Sequence, residues 1–180
     1  ATAGASLSGI DLTPRAVEIT GKRLALKALE SELRVGDAEN LPYDANTFDL
    51  VYSWGVIHHS PNTRRAAQEI LRVLKPGGEF RVMVYHTWSL VGLMLWIRYG
   101  LLRGRPWTGL SEIYSKWLES PGTKTYTKAE AAALFDGAID LGCHVELTHG
   151  DLLESGAGQR HEGTALNIAR QLWPRWLLRR

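Results

Sequence analysis

Two aspartates stand where two short apolar runs end. Asp11 closes Leu7-Ser8-Gly9-Ile10 and is followed by Leu12-Thr13-Pro14; Asp37 follows Val35-Gly36 and precedes Ala38. A carboxylate at a strand tip can accept both hydroxyls of a ribose through charge-assisted hydrogen bonds. One at the neighbouring tip can accept from the exocyclic amine of adenine, while the next backbone N–H donates to a ring nitrogen. Each aspartate alone also fits a solvated strand end, but the two together favour a nucleoside. A third group lies further along, where Ser53, Trp54 and Gly55 lead into the pair His58-His59. In open α/β sheets ligands sit outside the carboxyl ends of the strands, so all three groups belong to one expected site.

The elements that must position these residues can be read from the pattern. Residues 48–59 are crowded with β-branched and aromatic side chains between Asn46-Thr47 and Ser60-Pro61, which predicts a strand. Its nearly continuous apolar run suits burial on both faces. Upstream, residues 7–12 form a short strand, and Thr13-Pro14 opens a helix to about residue 29, with Thr as cap and Pro at the first position. Val17, Leu24 and Ala28 share its inner face. Residues 32–35 give the strand ending at Asp37. Asn62 caps the next helix, in which Ala67, Ile70, Leu71 and Leu74 recur at i, i+3, i+4 and i+7. Lys75-Pro76-Gly77-Gly78 ends it, and residues 80–85 are a further strand. Strand and helix therefore alternate as in an α/β, Rossmann-like doubly wound sheet.

Beyond His86 the pattern loosens. Residues 88–102 read as a helix rich in Leu, Trp and Met, residues 111–118 as a short helix, and Thr127 with Glu130 as a capping box. Residues 143–149 alternate like a strand, with Cys143 inside it as a small buried hydrophobe. A glycine-containing loop and a terminal helix, including residues 173–180, complete the chain. One domain over residues 1–180 is expected, with residues 87–125 as a helical insertion or lid.

The totals exclude several classes. The chain has 180 residues, 44% hydrophobic and 22% charged, with a net charge of +2. That balance is ordinary for a globular protein and too near neutral for wholesale phosphate binding, so no nucleic-acid partner is expected. Arg160, Arg170, Arg175, Arg179 and Arg180 read as a solvated helix face rather than a lipid or nucleic-acid surface. A single cysteine allows no internal disulfide and fits a reducing, cytoplasmic compartment. No signal peptide opens the sequence, and residues 88–102, cut by Arg98, fall short of a spanning helix. His144, His149 and His161 with Cys143 lack the close paired spacing of a zinc site, so no metal is expected.

Four segments together resemble a known family. Leu7-Ser8-Gly9-Ile10-Asp11-Leu12-Thr13-Pro14, Gly36-Asp37-Ala38-Glu39-Asn40-Leu41-Pro42-Tyr43, Phe48-Asp49-Leu50-Val51 through His58-His59, and Leu71-Arg72-Val73-Leu74-Lys75-Pro76-Gly77-Gly78 occur in the order and spacing of class I S-adenosyl-L-methionine (SAM)-dependent methyltransferases. They are most similar to the small-molecule branch that includes quinone-biosynthesis enzymes. The likeness is close over residues 7–86 and weaker to residue 153. It implies methyl transfer from SAM to a small-molecule acceptor. Asp11, with Leu12 beside it, would hold the ribose diol; Asp37 and Ala38 would read the adenine. Ser53, Trp54 and Gly55 would wall the methionine and sulfonium end, and His58 and His59 would meet the acceptor. Such a displacement is mostly a matter of alignment. An oxygen acceptor must also lose a proton, for which a histidine is suited, with His59 the candidate base. Its competing role is to hydrogen-bond the substrate or close the turn.

The sequence departs from the family at its start. Nothing before Leu7 supplies the first strand and its glycine-rich turn, which in such enzymes lies between the strands ending in Asp11 and in Ser53-Trp54. The last antiparallel strand is also missing from the pattern. The expectation is a sheet lacking its central strand, in a fragment truncated at both ends that folds poorly and binds SAM weakly. Two other readings stay open. A carboxylate after the second strand also suits a NAD(P)-dependent oxidoreductase. Trp88, Met94 and Trp96 suit a lid over an apolar acceptor, a helix packed on a sheet edge, or, with residues 173–180, a membrane-surface or partner-binding module.

Overall fold

The computed structural model describes residues 2–139 and 142–147. Two compact units divide between Met83 and Val84. The glycine-containing loop after His149, the terminal helix, His149 and His161 lie outside the described residues.

The first unit runs β1 (Ser8–Asp11), α1 (Pro14–Ala25), β2 (Glu32–Val35), β3 (Phe48–Trp54), a 3₁₀ turn (Ile57–His59), α2 (Thr63–Val73) and β4 (Leu74–Met83). β1 pairs in parallel with β2, from Ser8 opposite Glu32 to Asp11 opposite Val35. β3 pairs in parallel with β4, from Leu50 opposite Glu79 to Trp54 opposite Met83. Parallel neighbours need crossovers, and α1 and α2 provide them. The strands form two separate pairs rather than one four-stranded sheet.

Local chemistry explains the boundaries. The Thr13 hydroxyl accepts from the Ala16 N–H and Pro14 takes the first helical position, as expected, but α1 stops at Ala25 rather than near residue 29. Three residues later Ala28 turns left-handed, with φ of 51°, which no helix continues through. Asn62 caps α2 by accepting from the Arg65 N–H. Ala66, Ala67, Ile70 and Val73 on α2 are buried, with Leu74 just beyond. Full burial of a side chain such as Ile70 is worth about 1.5–3 kcal/mol. The Lys75-Pro76-Gly77-Gly78 stop is a bulge inside β4 rather than a free turn. The register jumps between Phe48 and Leu50 there, and Gly77 adopts a φ of 78°.

Two expectations for β3 need correction. The strand ends at Trp54, because Gly55 is left-handed (φ 71°) and residues 57–59 coil into the 3₁₀ turn. It is also not covered on both faces: Leu50, Tyr52 and Trp54, alternate residues of one face, are all exposed. A two-stranded pair with a helix on one side leaves its other side open.

The second unit contains α3 (Leu90–Tyr99), a 3₁₀ turn (Leu101–Arg103), α4 (Leu110–Trp117), α5 (Lys128–Ala132) and a 3₁₀ turn (Ala133–Phe135). The helix expected over residues 88–102 is thus interrupted at Gly100 and closed by left-handed Gly104. α3 and α4 bury Leu95, Ile113 and Tyr114 between them. Gly92 makes this possible: a Cβ there would lie 1.6 Å from the Tyr114 hydroxyl. That hydroxyl donates to the Thr87 carbonyl at 2.6 Å. The capping box at Thr127 and Glu130 is present on α5. Residues 142–147 are not a strand; they carry no regular structure, are exposed, and leave Cys143 exposed rather than buried. Alternation supplies a face but no partner, and no strand pairs with them among the described residues.

Candidate functional site

The Asp11 carboxylate is oriented by the residues that start α1. Its Oδ1 accepts from both the N–H and the hydroxyl of Thr13, each at 2.8 Å. Thr13 in turn caps the helix, so the carboxylate is fixed at the strand tip while remaining exposed. Leu12 beside it is also exposed. Across the pair, the Gly36 N–H donates to the Asp11 carbonyl at 3.0 Å, which sets Asp37 at the adjacent tip. Asp37 Oδ1 accepts from the Glu39 N–H at 2.9 Å, and its carbonyl accepts from the Asn40 N–H. Both aspartates are therefore held through Oδ1, and both are exposed; Ala38 is half-buried.

The next residue of this loop reaches across to β3. Glu39 Oε1 accepts from the Ser60 hydroxyl at 2.5 Å and the Asn62 N–H at 2.6 Å. The Arg65 guanidinium donates to the Glu39 carbonyl at 3.2 Å. The loop after β2 is thereby tied to the segment that carries His58 and His59.

On the β3 side, Ser53 Oγ is shielded from solvent and has no hydrogen-bond partner. Trp54 is 57% exposed and stacks on Tyr52, with ring centroids 5.8 Å apart. The Gly55 N–H donates to the Met83 carbonyl, closing the strand pair. His58 is fully buried in the 3₁₀ turn, whereas His59 is half-buried. Their ring centroids are 4.2 Å apart. The structure thus groups Asp11, Leu12, Asp37 and Ala38 on one pair of strand tips, and Ser53, Trp54, Gly55, His58 and His59 on the other.

Sequence reasoning missed the clamp beneath the loop. Glu69 of α2 is 1% exposed, and its carboxylate accepts from the Leu41 N–H (2.9 Å) and from Arg72 (2.6 and 2.9 Å). Arg72 also donates to the carbonyls of Leu41 and Tyr43. Hydrogen bonds from Arg72 hold the Glu69 carboxyl below the usual glutamate range, assisted by the Leu41 N–H and the charge of Arg65. Arg72 is raised in return, chiefly by the same bonds. A signal was available: Glu69 falls three after Ala66 and four before Val73, a carboxylate on the apolar stripe of a helix.

The acceptors at the tips are of the kind a nucleoside needs: two exposed carboxylates could take hydroxyl and amine protons, and the Ser53 hydroxyl, buried without a partner, adds a further polar atom. A shallow hollow of about 530 Å³ lined by Leu7, Gly21, Leu24 and Leu33 lies at the opposite, amino ends of β1 and β2. Among the described residues no group of three or more His, Cys, Asp or Glu could hold a metal ion, and no helix is long and apolar enough to cross a membrane.

A family model described as a methyltransferase domain matches residues 1–82. The phthiotriol/phenolphthiotriol dimycocerosates methyltransferase of Mycobacterium tuberculosis is 42% identical over 76 residues, which are 42% of this chain and 27% of that protein. The demethylmenaquinone methyltransferase of Desulfitobacterium hafniense is 28% identical over 137 residues, covering 72% of this chain and 53% of that one. Among solved structures, the YcgJ protein of Bacillus subtilis aligns with a TM-score of 0.55 and 25% identity over 72% of this chain and 50% of its own. The chain therefore spans about half or less of the length of the relatives it matches.

Proposed function

We propose, from the match of residues 1–82 to a methyltransferase-domain model, that this chain provides the nucleoside-binding side of a SAM site and takes part in methyl transfer to a small-molecule acceptor. The observation that carries the reading is the Asp11–Asp37 pair at adjacent parallel strand tips, each fixed through Oδ1 and exposed. In this reading Asp11 accepts from the ribose hydroxyls, with Leu12 against the sugar. Asp37 accepts from the adenine amine while the Ala38 N–H donates to a ring nitrogen. Ser53, Trp54 and Gly55 line the methionine end. SAM, when bound, supplies an electrophilic methyl group on a sulfonium.

The residues of this chain would bind and align rather than react. His59, half-buried at the end of the 3₁₀ turn, would take a proton from an oxygen acceptor, and fully buried His58 would shape the turn that presents it. Exposed Tyr52 and Trp54 suit an apolar acceptor. Relatives named for methylating demethylmenaquinone and phthiotriol dimycocerosates support the same choice.

Photo-crosslinking of labelled SAM to the whole translated product that contains this chain tests the reading. Label competed by S-adenosylhomocysteine but not by NAD is expected, and it should fall in Asp11→Asn and Asp37→Asn. Equal competition by NAD would transfer the site to an oxidoreductase. No labelling at all would end the nucleoside reading.

A further inference from the structure

α3 is apolar at every position but Gly92 and Arg98, yet only one side of it is covered. Leu95, with Val91, Trp96 and Tyr99, packs towards Ile113 and Tyr114 of α4. Leu93 and Ile97, four apart on another side, are exposed, and Leu101 continues that i, i+4 spacing into the 3₁₀ turn. Beside them Leu102 is 75% exposed, and Trp88 and Trp107, which bracket the segment, are 71% and 79% exposed. Apolar exposure on this scale within twenty or so residues marks an interaction surface rather than ordinary scatter.

The charge of the segment says what it meets. Residues 87–111 contain Arg98, Arg103 and Arg105, all exposed, and no Asp or Glu. The first acidic side chain beyond, Glu112, is bridged to Lys116 at 2.6 Å. Arg103 lies over the rings of Tyr99 (5.0 Å) and Trp117 (5.2 Å), which stack 4.2 Å apart. Its cation is thus braced on an aromatic platform next to Leu101 and Leu102 instead of extending into water.

We propose that the surface formed by residues 88–107 docks on an anionic lipid surface. Leu93, Ile97, Leu102 and the two tryptophans enter the headgroup–acyl boundary, and the three arginines meet headgroup phosphates. Tryptophan favours that boundary because its ring is apolar and its N–H still needs a partner. Single-sign charge around an apolar face is the composition of an interfacial helix. A second copy of the chain would set three arginines against three more, which opposes self-association. The proposal stands independently of the methyltransferase reading.

Co-sedimentation of the whole translated product with phosphatidylcholine vesicles, with and without phosphatidylglycerol, provides the test. Binding to the anionic vesicles alone is expected at low salt. Each arginine replaced by glutamine should weaken it roughly fivefold, and Leu102→Ser with Trp107→Ser should abolish it. Because Arg98 (5.2 Å) and Arg103 (5.0 Å) both lie over the Tyr99 ring, the Arg105→Gln variant keeps that stack and carries the decision, with folding checked by circular dichroism. Equal binding to neutral vesicles, or none to either, would overturn the proposal. So would binding unchanged in that variant, as expected if the basic segment with Arg175, Arg179 and Arg180 carried it. Concentration-dependent self-association blocked by Trp107→Ser would overturn it in favour of a second copy.

Discussion

Glu39 is bonded to Ser60, and through that bond the loop that reads β2's tip is held to the turn that follows β3. Glu39 Oε1 accepts from the Ser60 hydroxyl and, 2.6 Å away, from the Asn62 N–H. The two strand pairs share no ladder, so this carboxylate takes over part of the alignment that a continuous sheet would provide.

Replacing Glu39 should therefore separate alignment from folding. Glu39→Ala is expected to cost about 1–2 kcal/mol in urea unfolding, the scale of charge-assisted bonds at a partly exposed site. SAM affinity should fall more steeply than stability, because Asp37 and the His58–His59 turn lose their common anchor. Titration calorimetry beside urea melts of the same protein reads both; a loss of affinity no larger than the loss of stability would remove the alignment role.

The clamp at Glu69 gives a pH dependence with a definite sign. Its folded-state pKa is depressed, chiefly by the Arg72 bonds. The stabilisation is thus fully present above the unfolded glutamate value of about 4.3 and is lost as pH falls through the lower folded value. Glu69→Gln should lower stability by about 2 kcal/mol at neutral pH, less than a fully buried pair would lose because Arg72 stays partly solvated. In acid, unfolding curves of the variant and the natural protein should converge; a constant gap down to low pH would contradict the assignment.

Gly92 is the narrowest point in the second unit. Gly92→Ala forces a methyl into the space of the Tyr114 hydroxyl, which must then release the Thr87 carbonyl. Overpacking together with a lost hydrogen bond should cost about 2–4 kcal/mol. Gly92→Ala in a Tyr114→Phe background should cost less than the separate losses added together, since the hydroxyl is no longer there to clash. Strict additivity in thermal melts would show that the two positions do not meet.

Much of the first unit was legible because its signals are local. Thr13-Pro14 and Asn62 name their own caps, and the Ala67–Ile70–Leu74 spacing names the buried side of α2. The doubly wound alternation follows from these. What escaped depends on partners distant in sequence. The apolar run of β3 suggested two covered faces, yet Leu50, Tyr52 and Trp54 are exposed because coverage is decided by neighbours, not by the strand. The alternation at residues 143–149 suggested a strand for the same reason, and no partner completes it among the described residues. The adjacent strand-end positions of Asp11 and Asp37 could also be read ahead. Glu39 could not, because its role depends on Ser60 and Asn62, more than twenty positions away.

The central claim, that the adjacent aspartates hold a SAM nucleoside, is tested most directly by calorimetric titration of SAM into the whole translated product and its Asp11→Asn and Asp37→Asn variants. Asparagine can keep the Thr13 and Glu39 N–H bonds, so folding should be preserved while charge is removed. Each variant is expected to bind SAM about tenfold to a hundredfold more weakly, the worth of a charge-assisted hydrogen bond, with an unchanged melting temperature. SAM affinity unaltered in both variants would contradict the account.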